Sequence, residues 1–132
     1  MPPDETSMRD AGMATRREVL GDTHVDRMTG QANGFDAPFQ ALITEAAWGH
    51  VWSRPEWSKR QRSIVTIALL AALGHYEEMA MHVRATARTG ATEEDIREAL
   101  LHVAVYAGVP VANQAIKYAK QAYAELAAGR KD

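Results

Sequence analysis

The stretch "GHYEEMAMH", residues 74–82, carries three side chains able to share a metal or a proton: His75, Glu78 and His82. They fall at i, i+3 and i+7, so a helix would bring them within about 60° of one another. Two imidazoles and a carboxylate on one face have three uses. A metal site is one, yet helical zinc motifs space two His at i, i+4 and di-iron bundles use Glu-x-x-His, and neither pattern matches. The second is a core His82 hydrogen-bonded to Glu78 one turn away. The third is an acid–base pair, because a carboxylate beside an imidazole in apolar surroundings moves both groups toward neutrality. Spacing alone leaves the last two open.

Other residue types invite chemistry too. Arg54, Arg60 and Arg62 flank the start of an apolar helix. Each is either a solvated surface cation or a bidentate clamp on a substrate carboxylate. Trp48 and Trp52 stand at i, i+4, with Trp57 close by. Such a pair packs in a core or walls an apolar pocket. His102 and Tyr106 repeat the spacing on an otherwise apolar helix, where burial would oblige both to find polar partners. The chain has no Cys, which excludes disulfides, thiolate metal sites and thiol chemistry. A net charge of −2 without a basic cluster argues against a nucleic-acid partner. The longest apolar run, Ile64 to Leu73, is too short for a membrane span. "MPPDETSMRD" lacks a basic-then-apolar signal, so a cytoplasmic protein is expected.

The elements that must position these groups are helical. Strand-like alternation is missing, and 46% hydrophobic content over 132 residues suffices for one core. Residues 1–10 read as a flexible tail, and 11–132 as a single all-α domain of about six helices. "MATRREVLG" is a short helix closed by Gly21. "FDAPFQALITEAAWGHVWSRP" starts at Asp36, with Pro38 in its first turn, and stops at Pro55. "WSKRQRSIVTIALLAALG" is capped by Ser58, ends at Gly74, and is apolar enough in its second half for a central buried helix. The next helix ends at Gly90. Glu77, Arg84 and Arg88 form its solvent face and Met79, Val83 and Thr86 its buried stripe. His75, Glu78 and His82 adjoin that stripe and point toward core or pocket. Thr92, with Asp95 three residues on, caps a helix ending at Gly108. Pro110 opens a last helix running to Gly129. Leu101 and Val105 share a side with Glu94 and Glu98, an apolar patch that fits a subunit contact.

"FQALITEAAWGHVWSRPEWSKRQRSIVTIALLAALG" and "EEMAMHVRATARTGATEEDIREALLHVAVYAGVPVAN" resemble the carboxymuconolactone decarboxylase family, as does "REVLGDTHVDR" near the start. The wider superfamily includes alkylhydroperoxidase-like proteins with C-x-x-C-x-x-x-H, whose Cys positions fall here on His75 and Glu78. The resemblance therefore implies the decarboxylase branch: an alkylhydroperoxidase-like helical bundle, assembled as a homohexamer, with no cofactor and no metal. The implied reaction is decarboxylation of 4-carboxymuconolactone, a small lactone carboxylate, to the enol-lactone of 3-oxoadipate in protocatechuate catabolism. By position, Glu78 and His82 match the family's E-x-x-x-H, Arg62 and Ser63 its R-S, and Trp48, Trp52 and Arg54 its W-x-x-x-W-x-R. His102, Tyr106, Gly108 and Pro110 match the segment before the last helix. His50 and His75 depart from the pattern. The implied roles are His82, Glu78 and His102 in catalysis, with Arg54, Arg62, Ser63, Trp48, Trp52 and Tyr106 on the substrate. The alternative is a non-catalytic or differently specific helical oligomer of the same superfamily.

Overall fold

Ser58 and Thr92 decide where two of the helices begin. Each hydroxyl accepts from the backbone N–H three residues on, and the side chains of Gln61 and Asp95 return the bond to the cap residue's own N–H. Both are complete capping boxes, which satisfy two otherwise orphaned donors per helix. The helices end where the glycine stops predict. Gly90 has φ 86° and Gly108 φ 120°, values that a side chain would oppose, so the helix turns off at each.

The computed structural model describes residues 5–130, and among these the chain is all-helical with no strand. It comprises α1 (Glu5–Leu20), α2 (Asp22–Gly30), α3 (Ala37–Ile43), a π-helix here called π1 (Thr44–Trp52), α4 (Lys59–Ala72), α5 (Tyr76–Thr89), α6 (Glu93–Tyr106) and α7 (Val109–Ala127). These elements fall into two compact units divided after Trp57. Among the described residues seven α-helices and π1 stand where about six helices were expected. The addition is α2, whose nine residues offer only Val25 and Met28 as strong apolar anchors. Of the residues expected as a tail, 5–10 belong to α1, and Met1–Asp4 lie outside the described residues.

In the N-terminal unit α1 lies along π1. Gly12 and Gly49 make the approach possible: a Cβ on Gly12 would collide with the Thr44 carbonyl oxygen, and one on Gly49 would sit 2.8 Å from Met8 Sδ. The C-terminal unit has its own core, with Ile67 and Ala71 of α4, Met79 and Val83 of α5, Ile96 and Leu100 of α6, and the alanine stripe Ala112, Ala115, Ala119 and Ala122 of α7. Small residues on α7 let the helices approach closely. Arg60 of α4 grips Asp95 of α6 with two bonds of 2.7 Å, which ties the two capped helix starts together. The predicted buried stripe of α5 holds, since Met79, Val83 and Thr86 are all buried. The expectation that α4 is buried all round does not. Ser63, Ile67 and Ala71 face inward, whereas Val65, Leu69 and Leu73 are exposed.

Candidate active site

π1 places the tryptophans. Trp48 and Trp52 are each buried, their ring centroids 5.1 Å apart and tilted by 38°. The i, i+4 spacing brings them together as expected. Arg54 follows just past the helix end, exposed, with Glu56 3.7 Å away.

In the C-terminal unit α5 carries the E-x-x-x-H element. His82 is buried at 7% exposure, on the edge of the Met79–Val83 stripe. The expectation that Glu78 and His75 also turn away from water fails: both are exposed. His75 is not on the helix at all. It is the residue before α5, with φ −90° and ψ 69°, so the spacing that seemed to align three groups stops at two. Among the described residues no three His, Asp or Glu side chains converge as metal ligands.

Two further elements carry residues expected at the site. Arg62 and Ser63 sit on the first turns of α4. Ser63 is fully buried, and its hydroxyl donates to Thr89 Oγ1 at 2.7 Å. It stitches α4 to the end of α5 and has no surface to offer a ligand. On α6, His102 and Tyr106 stack nearly parallel, with centroids 6.2 Å apart. Burial would oblige the pair to find polar partners, but both are exposed, Tyr106 at 85%. Leu101, Val105 and Val109 are exposed beside them. An apolar helix in isolation cannot show which of its faces the rest of the chain covers.

Several groups that hold π1 were not singled out from sequence. Arg16 of α1 is 3% exposed; its Nη1 donates to Thr44 Oγ1 at 3.2 Å and its Nη2 to Gln40 Oε1 at 3.0 Å. Burial, and then the neighbouring Arg17 charge, lowers its pKa from the ordinary arginine value. Thr15 and Ser53 share a hydrogen bond of 2.7 Å. Nothing in "MATRREVLG" marks these side chains, because their partners lie more than twenty residues away.

The sequence profile described as the Carboxymuconolactone decarboxylase family matches residues 37–121. The chain is 44% identical over 115 residues to a 4-carboxymuconolactone decarboxylase of Acinetobacter baylyi, covering 87% of this chain and 86% of that one. It is also 44% identical over 101 residues to nitrosuccinic acid decarboxylase npaB of Metarhizium robertsii, covering 76% and 71%. A 4-carboxymuconolactone decarboxylase of Pseudomonas putida matches at 52% over 46 residues, 35% of this chain and 96% of that sequence.

Proposed function

Because the chain belongs to the carboxymuconolactone decarboxylase family, we propose that it is a carboxy-lyase converting 4-carboxymuconolactone to the enol-lactone of 3-oxoadipate. The observation that carries this is the 44% identity to a 4-carboxymuconolactone decarboxylase across most of both chains. The substrate is an unsaturated lactone whose γ carbon bears a carboxylate and an acetate arm. Loss of carbon dioxide leaves an electron pair that spreads through the ring double bond to the lactone carbonyl. The substrate is its own electron sink, so no cofactor is called for. The dienolate is then protonated on the carbon α to the carbonyl.

Three tasks fall to the protein: holding the acetate arm, stabilising charge on the lactone oxygen, and delivering a proton. Arg54 or Arg62 suits the first and His102 or Tyr106 the second. His82 suits the third, because a buried imidazole is shielded from competing water, and Glu78 one turn away supplies the neighbouring carboxylate. Trp48 and Trp52 form the apolar wall. Ser63 positions α4 rather than touching substrate. The protein works in the cytoplasm as a homohexamer. Exposed Val65 and Leu69 on α4, Leu73 just past its end, and Leu101 and Val105 on α6, are the apolar faces that subunits would cover.

A second reading has one observation in its favour: equal identity to a nitrosuccinic acid decarboxylase. Nitrosuccinate carries its nitro group on the carbon that bears a carboxylate, so decarboxylation leaves a nitronate, again a sink within the substrate. Both substrates share a CH2–COO⁻ arm on the carbon that loses carbon dioxide. One anchoring cation serves either.

The test is turnover of each acid by purified protein, followed by the fall in lactone ultraviolet absorbance or by carbon dioxide release. His82→Ala should lower kcat by about 10²–10⁴-fold, the range of general acid–base catalysis. A His82→Ala protein that turns over normally per folded subunit would remove His82 as proton donor and put His102 in its place.

A further inference from the structure

One helix of the N-terminal unit is given over to holding another in an uncommon geometry. π-Helices are rare and usually amount to a single turn inserted in an α-helix. π1 runs for nine residues and carries both Trp48 and Trp52. A π-turn takes about one residue more than an α-turn. Rewinding a single turn would therefore swing every later side chain by one residue's step, roughly 100°.

The contacts from α1 run the length of π1, from its first residue to the Ser53 that follows it. At the junction with α3, Thr44 donates its only hydroxyl hydrogen to the Gln40 carbonyl at 2.8 Å and accepts from Arg16 Nη1. At the far end, Ser53 Oγ donates to the Trp48 carbonyl, five residues back, at 2.6 Å. Having spent that hydrogen, Ser53 accepts from the Thr15 hydroxyl. Between the ends, Arg9 pairs with Glu45 at 2.8 Å, and the Gly12 and Gly49 backbones meet. The α1 residues involved are Met8, Arg9, Gly12, Thr15 and Arg16. Their spacing puts them within about 120° of helix surface, a single face.

We propose that α1 is a positioning element for substrate recognition: through Thr44 and Ser53 it keeps the Thr44–Trp52 turns in π geometry, and so sets the direction in which the Trp48–Trp52 pair presents its wall to the substrate. The substrate half of this rests on the functional reading above. The mechanical half does not.

Two tryptophans this close couple excitonically, which gives a circular-dichroism couplet that Trp48→Phe assigns to the pair. Thr44→Val removes both hydroxyl bonds at the junction, and Thr44→Ser keeps them. The expected result is an altered couplet in Thr44→Val, with KM for the lactone raised about three- to tenfold, the worth of roughly one hydrogen bond, and kcat little changed. Thr44→Ser should restore both. A Thr44→Val protein that keeps the wild-type couplet overturns the proposal. So does an altered couplet with an unchanged KM, since the pair would then have moved without consequence for binding. Should Thr44→Val not fold, Thr15→Val is read in the same way, because it removes only the donor to Ser53 from outside π1. Turnover by the wild type is measured first. A wild type inert toward both acids overturns the functional reading, while the couplet, which needs no substrate, still decides whether α1 holds the pair.

Discussion

Ser63→Ala separates a strut from a substrate contact. The Ser63 side chain is fully buried, and its one hydrogen bond, 2.7 Å to Thr89 Oγ1, joins α4 to the last residue of α5. Removing the hydroxyl loses that bond, worth about 0.5–1.5 kcal/mol net. The void left is a single oxygen, too small to add a large cavity cost. Thr89 is only half-buried, so its hydroxyl turns to water and escapes most of the penalty for an unsatisfied polar group. The sum is about 1 kcal/mol, which in a domain of this size lowers Tm by roughly 3–6 °C. Urea unfolding should show a lower midpoint at constant slope. KM and kcat of the folded protein should stay at wild-type values. A Ser63→Ala protein that unfolds at the wild-type midpoint while its KM rises about tenfold or more would show instead that the hydroxyl is spent on substrate.

The pair between Arg60 and Asp95 predicts a pH effect. Bonds from the Arg60 guanidinium first, and then from the Thr92 backbone, hold the Asp95 carboxyl well below the usual carboxylate range. A depressed folded value means that its contribution is complete above the ordinary value of 3.8 and fades as pH falls below it. The stability gap between wild type and Asp95→Asn, measured by urea unfolding, should be full at pH 7 and narrow below about pH 4; a gap that widens in acid would contradict the pairing. Gly12→Ala drives a methyl into the Thr44 carbonyl, and α1 should lose about 1–3 kcal/mol of docking, in the range of other overpacked sites. Thermal unfolding that matches wild type would show that the helices part at no cost. Exhaustive chelation should leave decarboxylation intact, and activity lost to chelator and restored by one particular metal would replace the acid–base mechanism.

Local signals were legible wherever they act over a few residues. Ser58–Gln61 and Thr92–Asp95 form the capping boxes that their spacing announces, and the glycine stops end the helices. Both are short-range: a cap bonds three residues on, and a glycine's φ is its own property. The α5 stripe of Met79, Val83 and Thr86 was readable because an amphipathic helix repeats its buried face every turn. Periodicity without asymmetry carries no such signal. The second half of α4 and most of α6 are apolar on several faces, so which face the chain covers could not be read. That is why Val65, Leu69 and the His102–Tyr106 pair emerged exposed.

The helical class, the capped starts and glycine ends, and the side chains that mark the family are written in residue type and near-neighbour spacing. Long-range packing places His75 before α5 and buries His82 within it, commits the Ser63 hydroxyl to Thr89, and winds residues 44–52 as a π-helix under Arg16, Thr15 and Gly12. Each of those depends on a group more than ten residues away, or on where the chain reverses, and a hydrogen bond or a close approach of that kind exists only once the partners have been brought together.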